Sequence, residues 1–202
     1  MGLLLNAMMG LFLAGFSSLA MAAAYTVDGS HSIVGFSVKH LVISKVKGQF
    51  KKAEGSFDFD EKKNEISKVD IKIDVASVDT NDKKRDEHLS SADFFDAKKF
   101  PQITFKAGKA SVKKGETTKL PGTLTIRGVS KPVVMELTYN GSTIDPWKNE
   151  KSGFSLTGKI NRQDYGISWN KALDKGGVAV SDEVVIEVEG EATKTSEATK
   201  TK

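Results

Sequence analysis

Residues 68–75 alternate charged and apolar side chains without a break, Lys-Val-Asp-Ile-Lys-Ile-Asp-Val. Successive side chains on a β-strand point to opposite faces, so Val69, Ile71, Ile73 and Val75 share one dry side while Lys68, Asp70, Lys72 and Asp74 meet water. The same two-residue period returns along most of the chain. Val34, Phe36 and Val38 align on a first strand, and Gly48, Phe50, Phe57 and Phe59 follow on a second. Phase is lost around residues 51–55, which predicts a bulge there. The third strand is the alternating segment itself, ending near Ser77.

Residues 81–89 abandon the alternation and fill with charge, and Asn81 or Asp82 is placed to cap a short helix. A second helical turn is expected from Ser91, stopped by Pro101. Ile103, Phe105 and Ala107 resume the strand pattern until the turn Lys113-Lys114-Gly115-Glu116. Leu124 and Ile126 lead into the turn Arg127-Gly128-Val129-Ser130. Val133, Met135, Leu137 and Tyr139 then share a face up to Asn140-Gly141, which reads as the close of that strand. Phe154, Leu156, Gly158 and Ile160 follow on one phase. In the last strand Val180, Val184, Ile186 and Val188 oppose Ser181, Glu183, Glu187 and Glu189.

About eight strands with short turns favour antiparallel pairing and closure, which removes aggregation-prone edges. The expectation is an all-β, eight-stranded antiparallel barrel with a helical excursion around residues 81–97. A β-sandwich is the competing architecture.

Composition narrows this picture. The chain has 202 residues, 39% of them hydrophobic and 28% charged, enough for one globular domain with a sizeable core. The net charge of +4 is interleaved along the strands with acids, which describes a solvated outer wall and argues against nucleic-acid binding. There is no cysteine, so neither a disulfide nor a thiol nucleophile enters the chemistry.

The ends read differently. Residues 3–19 are largely apolar and uncharged and run into Ala20-Met21-Ala22-Ala23-Ala24, as a secretory signal does. Cleavage is expected after Ala22 or Ala24, leaving a protein without stable membrane insertion; a retained anchor is the alternative. The pattern departs from a signal peptide in having no Lys or Arg before the apolar run. A bacterial periplasm is the expected home. At the other end Glu-Ala-Thr-Lys-Thr occurs twice, at residues 191–195 and 197–201, with no apolar face, and a disordered polar tail is expected over residues 191–202.

Several blocks carry a specific resemblance. They are Tyr25-Thr26-Val27-Asp28 with Ser30-His31-Ser32, Gly48-Gln49-Phe50, Asp79-Thr80, Arg85-Asp86-Glu87-His88-Leu89, Phe94-Phe95-Asp96 and Phe100-Pro101-Gln102-Ile103-Thr104-Phe105. Gly122-Thr123-Leu124-Thr125-Ile126-Arg127-Gly128 and Asn161-Arg162-Gln163-Asp164-Tyr165-Gly166-Ile167 complete the set. In number and order they resemble the YceI-like family over nearly all of residues 25–190. The resemblance implies a lipocalin-like periplasmic barrel that binds polyisoprenoids, isoprenoid quinones or other long-chain fatty amphiphiles. A homodimer is expected from the resemblance alone, and no cofactor is implied.

An eight-stranded barrel is either filled by its own side chains or holds one small ligand. Burial of about ten methylenes at roughly 0.8 kcal/mol each would supply on the order of 8 kcal/mol before ordering costs. Candidates for the apolar lining are Phe36, Val38, Phe50, Phe57, Phe59, Phe105, Leu124, Ile126, Phe154, Ile160 and Trp169; the alternative for each is plain core packing.

Polar residues on the inward phase discriminate better. Arg162 continues the register of Phe154 and Ile160, and an unpaired guanidinium there would be strongly unfavourable. It is expected either to pair with Asp164 or an acid of the helical segment, or to clamp a phosphate or carbonyl head group. His40 shares the phase of Val34, Phe36 and Val38, either as a neutral core histidine or as a head-group contact. His31, Arg85 and His88 are candidates for the rim, with loop bracing as the alternative; Asp164 and Tyr165 complete the polar set.

The three histidines lack metal-ligand spacing, and no metal is expected. No nucleophile elbow, Walker loop, dinucleotide fingerprint or H-E-x-x-H helix is present. The aromatic inward stripe together with the family resemblance makes a non-enzymatic lipid carrier the expectation. A lipid-modifying enzyme and an interaction protein with a filled barrel are the alternatives.

Overall fold

A computed structural model describes residues 22–174 and 176–195. Residues 1–21 of the expected signal segment and residues 196–202 of the expected tail lie outside the described residues.

The described residues form eleven strands: β1 (Ala23–His40), β2 (Ser44–Phe50), β3 (Ala53–Asp60), β4 (Glu65–Asp74), β5 (Val78–Asp79), β6 (Gln102–Ala107), β7 (Ala110–Ser111), β8 (Thr117–Ile126), β9 (Val129–Ile144), β10 (Glu150–Asn161) and β11 (Val180–Lys194). One α-helix, α1 (Lys83–Ser90), interrupts them. Hydrogen-bonded neighbours run β11-β10-β9-β8-β6-β4-β3-β1, and β11 pairs again with β1, so the sheet closes into an antiparallel barrel of eight positions. The count of eight survives because three positions are broken strands. β2 and β3 are one strand interrupted at residues 51–52, each pairing with a different half of β1. β5 continues the β4 position and β7 the β6 position.

The interruption at residues 51–52 is the bulge that the lost phase predicted. A second one, not predicted, lies at Lys68: its φ of 52° falls where the β3–β4 register shifts, so Ile66 and Val69 both face inward although three residues apart. The helix also follows its local sequence. Asp82 caps α1, accepting from the Arg85 backbone N–H, and residues 91–100 coil back in turns without a further helix.

Two expectations need correction. Asn140-Gly141 does not end a strand. Gly141, at φ 116°, sits at a register shift against Gly153 and Phe154, and β9 continues to Ile144. Nor does the polar tail begin at Glu191. β11 continues through Lys194, paired with β1 from Asp28 back to Tyr25, and Ala192 is 1% exposed. The composition of this stretch is polar, but its backbone hydrogen bonds close the barrel, which no composition rule can register.

The barrel has two unlike ends. At the end holding the chain's first described residues, Tyr25 stacks on Phe57 at 5.6 Å, and Phe59 meets Tyr139 edge-on at 5.0 Å. The Tyr25 hydroxyl donates to Glu150 at 2.6 Å, and Lys194 donates to the same carboxylate at 2.8 Å. Burial, reinforced by Glu150, raises the Tyr25 pKa, while Lys194 draws that of Glu150 down. Aromatic packing therefore plugs this end. The other end carries the β1–β2 and β8–β9 turns, α1 with residues 91–101, and the long connection between β10 and β11. Arg127 and Gly128 make a two-residue β8–β9 turn, both at positive φ. In the β1–β2 turn Leu41 and Val42 also adopt positive φ, 51° and 64°, at a cost of roughly 1–2 kcal/mol per residue without glycine.

Candidate ligand-binding site

Between the plug and the turn-bearing end the barrel is hollow. A cavity of about 380 Å³ follows the inward faces of nearly every strand. On β11 its lining runs from Val180 to Ala192, and on β1 from Val27 to His40. Twelve residue steps at about 3.3 Å span about 40 Å of strand, or about 30 Å along the axis for a strand tilt near 40°. A volume this modest over such a length describes a narrow channel, suited to an extended chain more than to a compact ring system.

The wall is built from strand phase. Val34, Phe36, Val38 and His40 of β1 stand opposite Val188, Ile186, Val184 and Val180 of β11, two residues apart each time up to the register shift before His40. Glycine makes room at one close approach: a Cβ on Gly48 would lie 2.4 Å from Cζ of Phe36, so the phenyl ring can lie across β2 only because Gly48 has no side chain. Phe36 then meets Phe50 at 5.6 Å, and Phe50 meets Phe95 at 5.6 Å.

At the turn-bearing end three rings join the helical excursion to the β10–β11 connection. His88 lies 5.0 Å from Phe94 and 5.1 Å from Trp169, and the two aromatic residues are 5.3 Å apart. Next to them the buried Thr80 organises α1. Its backbone N–H and hydroxyl both donate to Asp86 Oδ1, at 2.8 and 2.6 Å, while Arg85 Nε donates to its hydroxyl oxygen at 2.7 Å and Arg85 Nη2 to its carbonyl at 2.7 Å. Two of the five guanidinium N–H groups of Arg85 are thereby engaged at the channel rim, and its side chain is exposed.

Ten of the eleven apolar residues singled out in the sequence line the channel. The exception is Phe59, which shares the inward phase of Phe57 but lies one pleat nearer the plugged end, where Tyr25, Tyr139 and Phe154 enclose it. Among the polar candidates His40, Arg85, His88 and Arg162 line the channel, and three others do not. His31 is exposed and its Nδ1 pairs with Asp28 Oδ2 at 3.0 Å, because residues 29–32 bulge out of β1 opposite a single residue of β11. Asp164 is exposed on the 3-10 turn over Arg162–Tyr165. Tyr165 is 2% exposed but packs outside the channel, and burial raises its pKa.

Arg162 is placed inward as its register requires, yet its partner is neither Asp164 nor an acid of the helix. Its five N–H groups are directed to the carbonyls of Ser181, Ile167, Trp169 and Val180, and to Asp182 at 3.0 Å. Asp164 is excluded because the turn carries it to the outer surface, whereas Asp182 enters from β11, a neighbour invisible in linear spacing. Burial pulls the guanidinium pKa downward against the opposing effect of Asp182, but an arginine stays charged. Sequence reasoning overlooked Thr80, Val46, Leu89, Phe94 and Phe95 as lining. The adjacent pair Phe94-Phe95 in an otherwise polar segment was a usable signal, and the threonine offered none.

A YceI-like domain model matches residues 25–192. Protein YceI of Salmonella newport is 42% identical over 174 residues, which cover 85% of this chain and 88% of the relative. The crystal structure of a Campylobacter jejuni YceI protein superposes with a TM-score of 0.68 at 40% identity, covering 78% of this chain and 90% of that one. Burkholderia cenocepacia BcnA gives a TM-score of 0.68 at 28% identity over 83% and 99% of the two chains. A polyisoprenoid binding domain from Saccharophagus degradans shares the fold, with a TM-score of 0.63 at 15% identity over 86% and 99%. With the matched family spanning the barrel from Tyr25 to Ala192, the chain belongs to the YceI-like family.

Proposed function

We propose that this protein is a periplasmic carrier that holds one long-chain isoprenoid, isoprenoid quinone or similar amphiphile with its tail along the barrel axis. The narrow apolar channel carries the reading: its volume falls at the lower end of the usual ligand-pocket range of about 300–1,000 Å³, while its lining extends along most of β1 and β11. The description of the Saccharophagus degradans domain as polyisoprenoid binding supports the same ligand class. The leader-like apolar run at the start of the chain supports export. The head group belongs at the end bearing α1, since the opposite end is plugged by aromatic rings. There, among the described residues, Arg85 retains three N–H donors, with His40 and His88 beside it, and a phosphate or carbonyl oxygen is the acceptor such donors select. Arg162 has no donor to spare for it.

Carriage is favoured over catalysis because the channel brings together no nucleophile and base. His88 Nε2 pairs with Asp93 at 2.9 Å, but among the described residues no hydroxyl bonds to its ring. Native mass spectrometry and organic extraction of protein purified from its own host test the reading. A copurifying chain-like lipid is expected; protein that is consistently empty and takes up no isoprenoid would overturn it.

A further inference from the structure

Among the described residues, three consecutive exposed apolar side chains stand together on the β1–β2 turn, at the turn-bearing end of the channel. Leu41, Val42 and Ile43 are 37%, 67% and 86% exposed. Their backbone is held tightly, with the Ile43 N–H donating to the His40 carbonyl at 3.2 Å and the Leu41 N–H to the Ala179 carbonyl at 2.9 Å. Leu41 and Val42 also keep a left-handed conformation that their side chains disfavour. The patch continues across the facing loop, where Val178 is 43% exposed and a Cβ on Gly177 would lie 3.3 Å from Val42 Cγ2. Leu41, Val42 and Ile43 do not line the channel, whereas His40 and Val46, on the two strands that lead into the tip, do.

Directly behind the tip the same hairpin is cationic. Lys39 stands opposite Lys45, and Lys47 follows on the same outward face. Like charges directly opposite one another on a sheet are unfavourable, and among the described residues none of the three lysines forms an ion pair with a carboxylate. Asp174 is the one acid of the facing turn. An apolar tip backed by a collar of unpaired lysines is complementary to a surface that is anionic outside and hydrocarbon within.

We infer that the hairpin tip at residues 41–43 docks the open end of the barrel onto an anionic phospholipid bilayer, with Lys39, Lys45 and Lys47 at head-group level. This extends the carrier reading: docking there lets a chain-like lipid pass from bilayer to channel without its tail crossing water. Interfacial binding of this kind combines shallow apolar insertion with electrostatic attraction and is sensitive to lipid charge and salt.

Co-sedimentation of the processed protein with phosphatidylcholine vesicles, with and without phosphatidylglycerol, tests it. Binding is expected to the anionic vesicles and to fall with added salt. Ile43→Asp should lower it at least about ten-fold, and the pair Lys39→Glu with Lys45→Glu by a similar factor. Trp147→Ala should leave it unchanged, since Trp147, although 80% exposed, sits on the β9–β10 turn at the plugged end. All variants share one amino terminus, so vesicle binding that Ile43→Asp leaves intact overturns the proposal, whatever other part of the chain carries it, as does loss of binding in Trp147→Ala alone. Organic extraction of the same samples reads channel occupancy separately. An empty channel with intact docking defeats the carrier reading, and a lipid-filled Ile43→Asp that no longer sediments supports docking by the tip.

Discussion

Arg162 and Asp182 are joined at 3.0 Å, with the arginine side chain 5% exposed and the aspartate 46%. The pair ties the turn after β10 to the start of β11, and the remaining guanidinium donors hold the carbonyls that shape the β10–β11 connection. A residue whose register suggested a ligand clamp is thus part of the channel's frame.

Removal of the guanidinium should therefore unfold before it starves. Arg162→Met leaves the carbonyls of Ile167 and Trp169 without the guanidinium, while Val180 and Asp182 still accept from Asn170 and Gln163, and a loss of about 1–3 kcal/mol is expected in urea unfolding. Asp182→Asn, which keeps a hydrogen-bonding oxygen on a half-exposed side chain, should cost about 1 kcal/mol or less.

Gly48 and Phe36 predict a specific loss of capacity. A methyl group on Gly48 meets Phe36 Cζ at 2.4 Å and Thr80 Cγ2 at 2.7 Å, both ends of side chains that can yield toward the channel. Gly48→Ala should reduce copurifying lipid at a stability cost of about 1–3 kcal/mol. Unchanged lipid content by quantitative extraction would show that the ring moves elsewhere.

Channel and plug should separate in their responses. Ile186 is a half-buried wall residue, so Ile186→Trp should fill the channel and displace lipid with little change in midpoint of unfolding. Phe59 is 1% exposed in the plug, and Phe59→Ala should cost about 3–5 kcal/mol while sparing the lining. Extraction and thermal unfolding of both variants give the comparison.

Arg85 is the donor we propose for the head group. Arg85→Ala should weaken binding of a phosphorylated isoprenoid about ten-fold or more, with a smaller effect on the free alcohol of the same length, because a charge-assisted hydrogen bond forms only with the former. A fluorescent analogue of each, titrated side by side, measures the ratio.

Acid should weaken the tie that reaches from β1 across β11 to β10. Lys151 donates to Asp28 at 2.6 Å, and this bond, with those from Ser30 and His31, holds the Asp28 carboxyl well below the usual carboxylate range. A depressed carboxylate contributes stability that is complete above its unfolded pKa, near about 3.9, and disappears as pH falls toward the folded value. Asp28→Asn should accordingly be destabilised by about 1–3 kcal/mol at pH 7. The gap from wild type should close in urea titrations as the pH drops below the unfolded value.

Much of the channel was legible because strand periodicity reports a local fact, the face on which a side chain stands. Phe36, Val38, Phe105, Leu124 and Ile160 could be assigned inward from phase alone. Phe59 shows the limit: inward phase does not say how far along the axis the residue lies. His31 shows another, since four residues of β1 bulge out opposite Gly190, and only the pairing with β11 reveals it.

The sequence by itself determined that the chain alternates into about eight strands with a charged helical interruption, that its inward register is apolar and rich in phenylalanine, and that Arg162 needs a partner. These follow from side-chain direction and from the cost of burying charge, which act residue by residue. Tertiary structure decided that β11 runs on to Lys194, that one end is plugged while a channel survives beyond it, and that Asp182 serves Arg162 while Arg85 keeps free donors. Each depends on which strands become neighbours when the sheet closes, a long-range choice that no local pattern encodes.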